Sequence, residues 1–196
     1  TTGGIRGKKT STKDYEPRSF NLGIRKDLFI ELNGFTNIHP GEDPELIMRL
    51  KRYHESAKVG FISSAKVTHK RRISIKNFSY QLYKFGLVRP IITQWHREFD
   101  HITFYFPLVF SLGFIAGVLL WILGVNYLII GYLLYACLLF IECIFKKKNL
   151  IVALIAIYTS YIQFFSYALG FINSYFNIVI LGKRPQNVFP ALFFKK

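Results

Sequence analysis

The chain has 196 residues and a formal net charge of +15, with 26 lysines and arginines against 11 aspartates and glutamates. Its two cysteines lie inside apolar runs and provide neither a disulfide framework nor the spacing of a zinc site. The basic residues accompany apolar runs of membrane length, which favours a membrane protein with a cytoplasmic, lipid-facing surface over a nucleic-acid-binding protein.

The charged residues divide the chain into two parts. Residues 1–101 hold 19 of the 26 basic residues and 10 of the 11 acidic ones, whereas residues 102–196 hold Glu142 as their single acid. We therefore predict a polar, basic domain at residues 1–101 and a membrane region at residues 102–196.

Within the polar domain, the sequence predicts short strands and short helices. Strands are predicted at residues 19–25, 59–63 and 65–69, the last two because valine and phenylalanine recur in short runs. A helix is predicted at residues 26–32, where Gly34 is suited to end it and Phe35 can return to the core.

The stretch at residues 38–50 carries two adjacent carboxylates directly before a helical pattern. Asp43 is suited to cap the helix and Pro44 to occupy its first position, and the apolar spacing that follows predicts a helix to about residue 56. Capping alone would explain Asp43. The alternative is that Asp43 or Glu42 is a general base held at a helix N-terminus.

A further helix is predicted at residues 75–87, capped by Ser74 and ended by Gly86 and Pro90. Residues 91–101 are amphipathic, which is typical of a segment that lies along the membrane interface.

Three apolar stretches make up the rest of the chain. Residues 102–123 and 127–145 are each long enough to span a bilayer, and residues 150–181 exceed one span. The uncharged turn between the first two and the lysines after the second predict that residues 1–101 are cytoplasmic. Three full spans would place the basic C-terminal residues outside, against the positive-inside rule. The side of the C-terminal residues is therefore left open. A third stretch that re-enters the membrane or lies in its interface would remove the conflict.

Several segments between residues 18 and 90 together resemble the C-terminal part of a family-2 glycosyltransferase. They are Asn21-Leu-Gly-Ile-Arg25-Lys26-Asp-Leu-Phe29, Leu32-Asn33-Gly34-Phe35, Gly41-Glu42-Asp43-Pro-Glu45-Leu46-x-x-Arg49, Val67-x-His69 followed by Arg71-Arg72-x-Ser74, and Gln81-x-x-Lys84-Phe85-Gly86 with Arg89. Asn33 stands where the family has a glycine, and Lys84 where arginine is common. The membrane region is similar to that of members that build exopolysaccharide or modify lipid-linked sugars.

The resemblance implies an α/β fold. Residues 1–101 would be the acceptor-side part of a cytoplasmic GT-A domain without its nucleotide-binding half, followed by an all-α region of two to three transmembrane helices. The implied activity is inverting transfer of a sugar from a nucleotide-sugar donor to a lipid-linked or polysaccharide acceptor, at the cytoplasmic (inner) membrane.

The resemblance also implies roles for individual residues. Asp43 would be the catalytic base, with Glu42 as its neighbour. His69 could contact the divalent metal. The donor diphosphate and the acceptor would be bound by Arg71, Arg72, Gln81, Lys84, Arg89, Asn21 and Arg25.

The sequence departs from the family in lacking an Asp-x-Asp motif and any segment similar to the nucleotide-binding half. Mg²⁺ or Mn²⁺ is expected for the complete enzyme, with its main ligands outside this chain. Because the chain also begins without Met, we predict a fragment or a truncated gene product that does not transfer sugar alone. The alternative is a non-enzymatic membrane protein whose basic cytoplasmic domain binds anionic lipid or a partner protein.

Overall fold

A computed structural model of the chain describes residue 19, residues 22–60, residues 62 and 64, and residues 74–194. Within these residues the regular secondary structure is helical, and no strand is formed. The predicted α/β fold is therefore wrong, since the described part of the chain is all-helical and contains no GT-A domain.

The predicted strands illustrate why the fold prediction failed. Residues 22–25, from the first strand, and residues 59, 60 and 62, from the second, are irregular, and the third strand falls outside the described residues. Val59 is buried against the apolar face of a helix formed by Leu46, Ile47 and Leu50. A β-branched residue can serve a helical core as well as a strand, and the local pattern does not distinguish the two.

The chain forms seven α-helices within the described residues, in the following order. They are α1 (Lys26–Glu31), α2 (Glu42–Tyr53), α3 (Ile75–Trp95), α4 (Phe106–Ile122), α5 (Tyr127–Lys147), α6 (Leu150–Ser174) and α7 (Pro185–Val188). Short 3₁₀ turns lie at Arg97–Phe99, Ile102–Phe104 and Pro190–Leu192, and a π-helical segment, Tyr175–Ile180, continues α6.

Helix α1 ends in the manner predicted from Gly34. Both Asn33 and Gly34 have positive φ angles, of 58° and 66°, and the Gly34 amide donates a hydrogen bond to the carbonyl oxygen of Phe29 at 2.8 Å. Asparagine tolerates the left-handed conformation better than most residues. This explains how Asn33 can occupy a position that is glycine in the glycosyltransferase motif that residues 32–35 resemble.

Helix α3 begins as predicted but does not end as predicted. The Ser74 hydroxyl oxygen accepts a hydrogen bond from the Asn77 amide at 3.2 Å, which confirms the cap. The helix then continues through Pro90 to Trp95. Proline removes one helical hydrogen bond, but Ile91 and Ile92 directly after it are almost fully buried, and this packing stabilises the continued helix.

Two of the apolar helices, α5 and the continuous segment Leu150–Ile180, are long and apolar enough to cross a membrane. Helix α4 is apolar but has only 17 residues, because the first residues of the predicted stretch form a separate 3₁₀ turn.

Helix α3 crosses α6 at very short distance through two glycines. A Cβ atom added to Gly86 would lie 2.1 Å from the carbonyl oxygen of Tyr167, and one added to Gly170 would lie 2.1 Å from that of Tyr83. Each glycine therefore makes room for the backbone of the other helix. This crossing fixes the polar part of the chain to the longest apolar helix.

Two apolar clusters hold the remaining segments. Leu32, Leu46, Ile47, Leu50 and Val59 join α1 to α2. The second cluster joins α2, α3 and the C-terminal segment, residues 185–194, through Ile38, Met48, Leu87, Val88, Ile91, Ile92, Ile178 and Leu192. Residues from both sides of the predicted domain boundary at residue 101 therefore share one core.

Candidate functional site

The two predicted catalytic carboxylates lie in the first turn of α2. The helix is capped by Gly41, whose φ is 117°, so that Glu42 and Asp43 are its first two residues. The predicted N-cap at Asp43 and first position at Pro44 are therefore wrong. Asp43 is 7% exposed, and Glu42 is also largely shielded from solvent. The positive end of the helix dipole favours negative charge at both positions.

We call the first turn of α2, with Glu42 and Asp43, the acidic turn. Gly41 explains how it is held against α3. A Cβ atom at Gly41 would lie 2.8 Å from side-chain carbons of both Val88 and Ile92, and its φ falls in the left-handed region that favours glycine. The backbone just before Glu42 thus contacts the face of α3 that carries Val88 and Ile92. Glycine suits both the conformation and the available space. A larger residue would adopt this φ only with backbone strain, and its Cβ atom would force the side chains of Val88 and Ile92 to shift.

His39 is in direct polar contact with the acidic pair. Its Nδ1 atom lies 3.0 Å from Oε2 of Glu42. Donation of a hydrogen bond to the carboxylate requires the proton on Nδ1. His39 is half-exposed beside Glu42, so a molecule bound at the acidic turn could contact its imidazole.

A buried polar cluster, which we call the Glu45 cluster, lies one turn further along α2. It consists of Glu45, Arg49 and His96. The Nε atom of Arg49 lies 2.8 and 2.9 Å from the two oxygens of Glu45, and Nε2 of His96 lies 3.0 Å from Oε1. Glu45 and His96 are 4% and 6% exposed, so water screens these contacts very little.

Arg49 extends this cluster to the end of α1. Its guanidinium donates hydrogen bonds to the backbone carbonyl oxygens of Leu32 and Gly34, the latter at 2.7 Å. These carbonyls belong to the turn that ends α1. The Arg49 side chain therefore joins the turn after α1 to α2 and, through Glu45, to the end of α3.

The predicted binding residues on α3 lie in different surroundings. Gln81 is exposed, and the Lys84 ammonium lies 5.0 Å from the ring centre of Tyr80. The guanidinium of Arg89 lies 3.6 Å from the ring centre of Phe104 and interacts with the Tyr167 hydroxyl. Arg89 thus links α3 to both the first apolar segment and α6, and its role in substrate binding stays a prediction.

The remaining predicted site residues are not joined to the acidic turn by the described structure. Arg25 is exposed and pairs with Asp27, whose pKa is lowered by the hydrogen bond from Arg25. Asn21, His69, Arg71 and Arg72 lie outside the described residues. Among the residues described, no group of three or more His, Cys, Asp or Glu side chains is placed to hold a metal ion, and the divalent metal expected for the complete enzyme stays a prediction.

Another polar contact involving a carboxylate lies where the polar part meets α4. The Tyr105 hydroxyl donates a hydrogen bond to Oδ2 of Asp100 at 2.8 Å, and this bond together with burial raises the pKa of Tyr105 to about 12. The tyrosine therefore keeps its proton at physiological pH and remains a donor to Asp100.

Sequence reasoning missed the contributions of His39 and His96. His39 stands three residues before Glu42, but the chain between them forms an irregular turn whose geometry has no periodic signal. His96 is 51 residues from Glu45 in sequence. The pairing of Glu45 with Arg49 was also not predicted, although their i, i+4 spacing on a helix was a signal that could have indicated it.

No protein-family model, curated protein sequence or solved structure matches this chain.

Proposed function

We propose that this chain is the acceptor-side and membrane part of an inverting sugar transferase, with Asp43 as the catalytic base. The observation that carries the proposal is the acidic turn. Two adjacent carboxylates, shielded from solvent, are held at a helix N-terminus by a glycine that the local backbone geometry requires. The motif around them resembles that of family-2 glycosyltransferases.

The proposed reaction needs one well-placed base. The Asp43 carboxylate would take the proton of an acceptor hydroxyl as the hydroxyl oxygen forms a bond to the anomeric carbon of the donor sugar. The bond from that carbon to the leaving nucleoside diphosphate breaks at the same time, and its electron pair departs with the diphosphate. Configuration at the anomeric carbon is inverted.

In the family that the motif resembles, a nucleotide-binding half holds the nucleotide part of the donor, and no segment of this sequence is similar to that half. Arg71, Arg72, Gln81, Lys84 and Arg89 remain candidates for neutralising the leaving diphosphate, as charged hydrogen bonds to phosphate oxygens would do.

The proposed location is the cytoplasmic membrane, with residues 1–101 on the cytoplasmic side. Support comes from α5, which is long and apolar enough to cross a membrane, and from the lysines at residues 146–148 at its end, which the positive-inside rule places in the cytoplasm. A lipid-linked or polysaccharide acceptor would then reach the acidic turn at the membrane surface.

The test is Asp43→Asn in the complete enzyme, expressed from the full-length gene. Loss of the base should lower the rate of sugar transfer by roughly a hundredfold to ten-thousandfold, since that is the usual contribution of general-base catalysis. Donor binding, measured by isothermal titration, should be unchanged. Glu55→Gln, which neutralises an exposed carboxylate just after α2, serves as the matched control and should leave the rate unchanged.

Turnover that survives in Asp43→Asn would exclude the proposed base. The alternative function, a non-enzymatic basic domain that binds anionic lipid or a partner, would gain support if Arg71→Gln with Arg72→Gln changed binding to anionic vesicles and left product formation unchanged.

A further inference from the structure

The C-terminal segment, residues 185–194, reaches the acidic turn. The backbone amide of His39 donates a hydrogen bond to the carbonyl oxygen of Leu192 at 2.7 Å. The ring centre of Phe194 lies 6.1 Å from that of His39. Leu192 and Phe194 therefore contact His39, which in turn contacts Glu42.

This contact is anchored in the core. Leu192 is 2% exposed and Ile38, directly before His39, is fully buried, and both belong to the cluster that joins α2 and α3. The side chain of Phe194, in contrast, is more than half exposed. Leu192 thus fixes the segment in place, and Phe194 lies against the imidazole without contributing much to the core.

The contact between His39 and Glu42 fixes the orientation of the first carboxylate of the acidic turn. Nδ1 of His39 lies 3.0 Å from Oε2 of Glu42, and a hydrogen bond across this distance holds that oxygen beside the imidazole. Asp43 follows Glu42 directly in the first turn of α2, so the helix fixes its place relative to Glu42.

We propose that the segment Pro190–Leu192 with Phe193 and Phe194 positions the His39–Glu42 pair beside Asp43, so that this segment completes the acidic site. His39 is a positioning residue in this arrangement. The consequence for sugar transfer rests on the proposed function. The physical link from Phe194 through His39 to Glu42 does not, and it can be measured separately.

The link is tested by nuclear magnetic resonance on the full chain in detergent micelles, with ¹⁵N in histidine only. The chain has five histidines, and His39→Asn identifies the His39 signals. Both Glu42→Gln and Phe194→Ala should shift the imidazole nitrogens of His39. Phe145→Ala, at an exposed position on α5, is the matched control and should leave them unchanged.

A truncation after Phe189 provides a second variant, because it removes the whole contact. His39 signals that stay at their wild-type positions in both Phe194→Ala and the truncated chain would overturn the proposal. A loss of all dispersed signals in the truncated chain alone would identify misfolding, and Phe194→Ala would then decide the question.

The catalytic consequence is tested in the complete enzyme. His39→Leu should lower kcat by roughly tenfold to a hundredfold with little change in the KM for the donor, as expected for a misplaced reacting group. His39→Asn keeps an N–H donor near the Nδ1 position and should recover most of the rate. A rise in kcat on removal of residues 190–196 would show that the segment inhibits the site, which contradicts a positioning role. A wild-type enzyme without transfer activity would contradict the proposed function while leaving the resonance result valid.

Discussion

Glu45 stabilises the site through its two carboxylate oxygens. They accept hydrogen bonds from Arg49 on the same helix and lie against His96 at the end of α3. The Nδ1 atom of His96 is buried and has no hydrogen-bond partner within the described parts of the chain. The Glu45 contact is therefore the one that compensates the burial of this imidazole.

Removal of the Glu45 carboxylate should destabilise the protein strongly. Glu45→Ala leaves the largely buried charge of Arg49 and the buried His96 without their shared acceptor, at a cost of about 3 kcal/mol, typical of breaking a buried ion pair. The midpoint of thermal unfolding in detergent should fall by roughly 6–12 °C for a chain of this size.

The control for this prediction is Glu98→Ala. Glu98 is half-exposed and lies 3.6 Å from Arg52, a surface pair whose loss should cost less than about 1 kcal/mol. If the two variants unfolded at the same temperature, the Glu45 cluster would have no special role in stability.

The chemistry of single residues was partly accessible from the sequence. The pair Glu42–Asp43 and its place at a helix start follow from local preferences, and the structure places both in the first turn of α2. The hydrogen bond of Glu45 to His96 joins segments separated by 51 residues. No local preference encodes such a contact, because it depends on how α2 and α3 pack.

The α3–α6 crossing is the element-scale feature on which the fold depends most. Gly86 and Gly170 each face the backbone of the opposite helix at a distance that leaves no room for a methyl group. Backbone atoms within a helix cannot rotate away as a side chain can. Any residue larger than glycine must therefore push the two helices apart.

Gly170→Ala should destabilise the protein by about 1–3 kcal/mol, the usual cost of overpacking. Gly131→Ala on α5 is the matched control, because no other described atom outside its own helix lies within 4 Å of the added methyl group. That substitution should be neutral or slightly stabilising, since alanine favours the helix over glycine. Thermal unfolding followed by tryptophan fluorescence would compare the two, and equal midpoints would show that the crossing is not tight.

The predicted helices were more accurate than the predicted strands for a physical reason. Helices are stabilised by contacts three and four residues apart, so α1, α2, α5 and the start of α3 were recognisable from spacing and caps. Strands need a distant partner, and residues 59, 60 and 62 were assigned to one without knowledge of any partner. The end of α3 was misplaced because the packing of Ile91 and Ile92 overcomes the local effect of Pro90.

At the scale of the whole molecule, the C-terminal segment limits the number of membrane crossings. Leu192 and Ile38 lie in one core, so the segment 185–194 is on the same side of any membrane as the acidic turn. A chain that enters and leaves the bilayer on one side crosses it an even number of times. If the chain crosses a membrane, we therefore expect two of the three apolar helices to cross it completely and the third to remain on the side of the acidic turn.

The positive-inside rule predicts which two helices cross. With α4 and α5 as the spans, the lysines at residues 146–148 lie on the same side as the acidic turn, and α6 begins and ends on that side. With α5 and α6 as the spans, those lysines lie on the opposite side. We expect the first arrangement. It requires α4 to cross with 17 residues, which is the short end of the range for a membrane-spanning helix.

Cysteine labelling on intact cells distinguishes the two arrangements. After Cys137→Ser and Cys143→Ser, we expect Val125→Cys to react with a membrane-impermeant maleimide from outside, and Lys147→Cys and Asn187→Cys to react only after permeabilisation. Labelling of Lys147→Cys from outside, with Val125→Cys protected, would select the second arrangement. Labelling of Asn187→Cys from outside would contradict the shared core.

The shared core also sets an order of events during protein synthesis. Ile38 and Met48 leave the ribosome before all three apolar helices, whereas Leu192, which packs against the same cluster, leaves after them. Until then the nascent chain keeps this apolar surface uncovered, while the membrane helices are already being inserted. A messenger RNA cut short after the codon for Leu181 would yield every apolar helix and both carboxylates, yet expose the surface that quality-control proteases and chaperones recognise.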